Sequence, residues 1–371
     1  MNRIYLDNNA TTALDPLVLA AMREDLSFVP ANPSSIHSFG RAAKKRLNEA
    51  RESLAKFFQV KPKELIFTSG GTEGINMILK GFFSNLSEGH LITTEMEHAA
   101  LFETAKLLEK RGVRVTYLKG SPRGAVSLEE VEAAILPKTR MLALSAANSE
   151  TGVKIEMEAL ASLAQSKGIF FFVDGVALLG KELFTIPEGV SAMAFSGHKI
   201  HAPKGIGLAF LRSPHKLEPL LFGGGQEGGM RSGTENLAGI VGFSKAVELL
   251  TDHLPSASLQ MGNLRDSFER EIKKKYPDAA INGEGKRVPN TSNLFFPNIH
   301  AEELLMNLDL HGVAASHGSA CSSGAFEPSR ILLNMDLSHK RAASSLRFSL
   351  SRFTTKEEIE KTLMILSEIL S

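Results

Sequence analysis

A chain of 371 residues is long enough for two hydrophobic cores, and its 42 basic and 41 acidic side chains leave a formal net charge of +1, so nothing in the charge draws it to nucleic acid or an anionic membrane. Its apolar runs are short and broken by charge or glycine, none near the ~20 residues of a membrane helix. The opening Met1-Asn2-Arg3-Ile4-Tyr5-Leu6-Asp7 carries neither a signal core nor a transit pattern, which makes a cytoplasmic location the expectation. One cysteine, Cys321, rules out an internal disulfide and any cysteine cluster for a metal, so no metal site is expected.

In chain order, Tyr5-Leu6-Asp7-Asn8-Asn9-Ala10-Thr11-Thr12 reads as a strand turning into a loop, and Asn32 to Gly40 as a Pro/Ser loop before a charged helix over 41–58. From Glu64 to about Arg212, apolar runs at 65–68, 91–94, 113–118, 141–146, 169–173, 192–195 and 206–211 alternate with helical patterns. The helix over 127–135 opens on the capping box Ser127 and Glu130, and another spans 157–167. This alternation predicts an α/β fold, a mainly parallel seven-stranded sheet flanked by helices, with ligands beyond the strands' C-terminal ends. One helix over 235–254 forms a bridge, and the pattern changes after Pro255: helix 259–275, strand 292–296, helix 301–310, strand 346–350, and a last helix opened by Thr355 and Glu358. The expected division is a large domain over 16–254 and a smaller α+β domain made of 1–15 and 255–371.

Two stretches carry candidate chemistry. In Ser196-Gly197-His198-Lys199, a lysine set among small residues follows an apolar run, where burial would favour the neutral amine needed for a Schiff base; the same stretch also reads as a turn lysine beside glycines. Phe170-Phe171-Phe172-Val173-Asp174 delivers a carboxylate at a strand end, placed to face a pyridine nitrogen. Phe67-Thr68-Ser69-Gly70-Gly71-Thr72 leaves a strand and enters a helix, a geometry suited to phosphate though common as a plain turn. His98 follows another strand, where a lone histidine is more often a satisfied structural residue.

Taken together, SGHK followed by PKGIG, the strand ending in Asp174, Gly223-Gly224-Gly225-Gln226-Glu227 running to Arg231-Ser232-Gly233-Thr234, and Gly318-Ser319-Ala320-Cys321-Ser322-Ser323-Gly324 resemble the class V aminotransferase fold group, and within it the cysteine desulfurases. The resemblance implies a fold-type I enzyme using pyridoxal 5'-phosphate. Lys199 would link to the cofactor and move a proton, and Asp174 would hold the ring nitrogen. His98 would cover the ring, while Gly71, Thr72, Ser196 and His198 would hold the phosphate together with Thr234 from the second copy of a homodimer. Arg347 and Asn32 would bind the substrate, L-cysteine, and Cys321 would carry its sulfur to an acceptor such as an iron–sulfur scaffold. Ser149 stands where the family has an asparagine near the ring hydroxyl, and Ala177 where it has a glutamine. Two alternatives stay open: selenocysteine lyase or another class V pyridoxal enzyme, and, because of those departures, a catalytically weak paralogue that serves as a binding partner.

Overall fold

The computed structural model describes residues 3–27, 30–84, 86, 88–318 and 327–370; Cys321 lies outside the described residues. Its strands are β1 (Ile4–Tyr5), β2 (Leu65–Thr68), β3 (His90–Thr94), β4 (Arg114–Leu118), β5 (Thr139–Ser145), β6 (Phe170–Asp174), β7 (Ala192–Ser196), β8 (Gly207–Leu211), β9 (Ala280–Ile281), β10 (Thr291–Phe295), β11 (Val313–Ala314) and β12 (Ser345–Ser349). The helices are α1 (Pro16–Leu26), α2 (Ser38–Phe58), α3 (Gly71–Phe83), α4 (Ala99–Lys110), α5 (Leu128–Ala133), α6 (Met157–Lys167), α7 (Leu237–Lys275), α8 (Ala301–Leu310), α9 (Arg330–Asn334), α10 (His339–Ala343) and α11 (Lys356–Ile369).

The seven expected strands form one sheet in the order β2-β8-β7-β6-β5-β3-β4. Six run the same way. β8 alone is antiparallel to both its neighbours, β2 and β7. Because side chains alternate across a strand, each strand feeds two cores. Phe171 and Val173 of β6, with Met193 and Phe195 of β7, pack on one face under α2, α6 and the first half of α7. Phe170, Phe172, Ala192 and Ala194 face the other way, against α3 and α4. Strands buried on both faces read as unbroken apolar runs, which is why these were legible in the sequence. Phe195 is fully buried and stacks on Phe58 of α2, ring centroids 4.7 Å apart. Truncating it to alanine would cost about 3–5 kcal/mol.

A third core gathers Ile4 and Leu6 with Met261, Phe268, Leu294, Leu304, Phe348 and Leu366 around the sheet β12-β10-β9. β1 pairs in parallel with β11, so the start of the chain is stitched to this part. Ile331, Leu332, Met335 and Leu337, by contrast, pack into the core of the large sheet.

One expectation is corrected here. The chain does not break at Pro255: α7 is one helix of 39 residues, with Pro255 inside it. Proline removes a single N–H bond and crowds the preceding turn, at a cost of ~3 kcal/mol in a helix interior. Burial offsets that cost on both sides, Leu249, Leu250 and Leu254 before the proline and Ala257, Met261 and Phe268 after it.

Candidate active site

All the strands but β8 end at one edge of the sheet, and that edge delivers the candidate residues. β6 ends in Asp174 and its parallel neighbour β7 in Ser196, so Asp174 and Lys199 emerge side by side, as their spacing in the chain suggests. They line a cavity of about 240 Å³ together with Gly71, Thr72, His98, Ser149, Ala177, Lys181, Ser196 and His198.

The floor is the start of α3. Its N-cap, Gly70, supplies no side chain to the first turn, which leaves backbone N–H groups available beside the Thr72 hydroxyl. Gly71 is required there, because a Cβ would meet Val176 Cγ2 at 2.6 Å. Free N–H groups, the helix dipole and the lining residues Ser196 and His198 suit a phosphate dianion.

Lys199 Nζ donates to the carbonyls of Asn9 and Ala10, the latter at 2.9 Å, so the N-terminal loop reaches the amine. Asp174 is buried and its Oδ1 accepts from Val176 N–H at 2.9 Å. Burial raises its carboxyl above the usual range, while His98, that N–H and Lys199 pull the other way. A pyridinium nitrogen would complete the counter-charge this carboxylate lacks.

His98 caps α4: its Nδ1 accepts from Ala100 N–H at 3.1 Å, which in the neutral ring places the proton on Nε2. Burial lowers its basicity, opposed by Asp174 and reinforced by Lys199 and Arg330, so the neutral form is favoured. His198, its Nδ1 3.1 Å from Thr11 Oγ1, is pushed down to about 4 by burial and by Lys199 and Lys204.

Three expected residues do not line this cavity. Arg347 on β12 is buried, with Nη2 donating to Asp7 at 2.7 Å and Nη1 to the Ser149 carbonyl at 3.0 Å. Ser149 is therefore the contact through which the arginine adjoins the site. Asn32 is exposed, its side chain accepting from Ser34 N–H at 2.9 Å. Thr234 is exposed too, in a segment docked onto its own subunit through Arg231 to Glu73 at 2.8 Å and Glu227 to Arg51 and the Phe67 N–H.

Three groups were missed. Glu97, directly before His98, is buried with Oε1 accepting from Thr94 Oγ1 at 2.8 Å and Oε2 from the N–H and hydroxyl of Ser145. Burial lifts it to about 7 against those bonds, with Asp174 adding to the rise. Lys181 is only 4% exposed and donates to the Lys199 carbonyl at 3.3 Å. Its one sequence cue was a charge just after the apolar run Val176-Ala177-Leu178-Leu179, beyond Gly180. Arg330, at the start of α9, donates to the carbonyls of Glu95 and Glu97 and lies over the Phe102 ring at 4.0 Å. It thereby ties the segment leaving 319–326 to the turn that carries His98.

Comparison with known proteins identifies the family and the fold. The family described as aminotransferase class-V matches residues 4–362. A protein of Nostoc sp. (strain PCC 7120 / SAG 25.82 / UTEX 2576) named cysteine desulfurase is 41% identical over 372 residues, which covers 100% of this chain and 93% of that one. A solved structure titled NifS-like protein superposes with a TM-score of 0.93 at 35% identity, covering 99% of each chain. Another, titled SspA in complex with cysteine, superposes at 0.84 with 32% identity over 95% of this chain and 100% of that one.

Proposed function

The chain belongs to the class V aminotransferase family and to its cysteine desulfurase group, and from that premise we propose that it uses pyridoxal 5'-phosphate to convert L-cysteine to L-alanine, leaving a persulfide on Cys321. The observation that carries this reading is the convergence of Lys199, Asp174 and His98 on one cavity floored by the uncapped start of α3. The cysteine-named relatives favour it over selenocysteine lyase or a binding-only paralogue.

The cofactor, when bound, supplies an aldehyde for amines to link to and a ring that takes up the electron pair left at the substrate Cα. Gly71, Thr72, Ser196 and His198 would hold its phosphate, with Thr234 contributed across a homodimer. Asp174 would hold its ring nitrogen, His98 its face, and Ser149 would sit toward the ring oxygen.

Lys199 is the residue that takes the Cα proton, and the Asn9 and Ala10 carbonyls hold Nζ in place beforehand. His98, with its proton on Nε2, would donate one. Arg347 would take the substrate carboxylate on its fork, and Asn32 would close over the substrate. The Cys321 thiolate attacks the substrate sulfur: an S–S bond forms, the substrate Cβ–S bond breaks, and its electron pair gains a proton to give the methyl group of alanine. One L-cysteine and one thiol thus yield one L-alanine and one persulfide, with no outside oxidant. The sulfur then passes to an acceptor such as an iron–sulfur scaffold in the cytoplasm. The division into 16–254 and 1–15 with 255–371 belongs to the same reading, supported by the core that Ile4 and Leu6 share with Met261 to Leu366.

Borohydride treatment of the yellow protein should fix the cofactor to the peptide containing Lys199, and L-cysteine with a thiol reductant should give alanine and sulfide in equal amounts. Failure to take up pyridoxal phosphate, or turnover without alanine, would sink the reading.

A further inference from the structure

Lys181 and Lys199 also line a second, smaller cavity, about 10 Å³, together with His201, His253, Ser351 and Arg352 and apolar side chains of α7. Among the described residues, no carboxylate lines it. Arg352 Nη2 is held by Asp15, but its Nε and Nη1 are buried without a hydrogen-bond partner. Lys181, almost wholly buried, spends one N–H on the Lys199 carbonyl, and an ammonium has three. His201 Nδ1 is engaged by the Ala13 carbonyl at 2.9 Å. Burial, with Lys199 adding to it, pulls the Lys181 ammonium down to about 8, the behaviour of a cation short of counter-charge.

Buried cationic N–H groups need acceptors. A water molecule offers two lone pairs but brings two hydrogens that need acceptors of their own, and the lining sets few side-chain acceptors, such as the Ser351 hydroxyl and His201 Nε2, against the donors of Lys181 and Arg352. An anion accepts from every side. The cavity has room for one small, compact occupant, which excludes phosphate and carboxylates. We propose that it is a site for one monatomic halide, chloride in the cell, held between Lys181 and the Arg352 guanidinium. The exposed His253 stands at its rim and marks the way in. The bound ion compensates Lys181 next to the backbone of Lys199 and links that backbone to the Arg352–Asp15 pair.

The test is diffraction from crystals of the full chain grown in sodium bromide, with data collected at the bromine absorption edge. An anomalous peak within bonding reach of Lys181 and Arg352 is expected; a water-like peak without anomalous signal, or an empty cavity, overturns the proposal. In solution, sodium bromide should raise the melting temperature saturably, by about 2 °C over sodium gluconate at equal ionic strength. The rise should vanish in Lys181→Met, and an equal rise in that variant also overturns the proposal. If Lys181→Met does not fold, diffraction from the unaltered protein decides alone.

Discussion

Asp7 and the buried Arg347 form an ion pair, Oδ1 to Nη2 at 2.7 Å, that binds the segment after β1 to β12, the edge strand paired with β10. Only 3% of the arginine side chain is exposed, and its Nε has no partner. Asp7→Ala strips the counter-ion from a buried guanidinium, which costs about 3–5 kcal/mol. A denaturant titration should show that loss. Asp7→Asn, which keeps an acceptor, should lose less, and a midpoint unmoved in both variants would mean the guanidinium finds another partner.

Cys321→Ala removes the thiol that accepts sulfur in the proposed reaction. The variant should still change the visible spectrum of the bound cofactor when L-cysteine is added, yet lose most alanine production in a single-turnover assay. Undiminished alanine would mean that some other group receives the sulfur.

Ser149 and Ala177 both line the candidate active-site cavity, at positions where the resemblance to the family implies asparagine and glutamine donors toward the cofactor's ring oxygen. Alanine offers no donor. The oxygen then keeps more negative charge and holds the nearby proton more tightly. A hydrogen bond to a charged group contributes roughly 1.5–3 kcal/mol, so Ala177→Gln should lower the pH at which the cofactor's visible band shifts by about one unit or more. A spectral pH titration of both proteins checks the sign, and an equal or higher midpoint in the variant refutes it.

His201 is pushed down to about 4, first by burial and then by Lys181 and Arg352, with the Ala13 carbonyl and Asp15 opposing. Its folded pKa lies below the unfolded value of about 6.5, so between those limits the unfolded chain binds more protons. Stability from this residue is therefore full above pH 6.5 and falls as pH drops toward 4, by up to about 3 kcal/mol. His201→Asn should flatten the pH dependence of the melting temperature in that window, measured in halide-free buffer. Parallel curves for the two proteins would show that His201 is not the group responsible.

The strands of the large sheet were legible because burial on both faces writes a continuous apolar run, and Asp174 and Lys199 because they close two such runs. The antiparallel course of β8 was not, since an apolar run carries no direction. Pro255 misled because a local rule, helix termination, lost to packing that only the folded chain supplies. Lys181 and Glu97 were invisible for a related reason: their burial depends on neighbours such as Lys199 and Ser145, far away in the chain. Arg347 was placed on the correct strand, but its pairing with Asp7 could be seen only once β1 and β12 were brought together.

Helix α7 has a mechanical consequence. At 1.5 Å per residue it is a rod of roughly 58 Å. Ile240, Phe243 and Val247 are set in one core and Met261, Phe268 and Ile272 in another. A rod clamped at both ends neither shortens nor slides, so relative motion of the two cores must bend it. The turn from Thr251 to Pro255, where one rung of the hydrogen-bond ladder is missing, is its softest point. Leu254 in that turn lines the small second cavity beside Lys181 and Lys199. Flexure of the rod is thereby felt as a change in the room available behind Lys199.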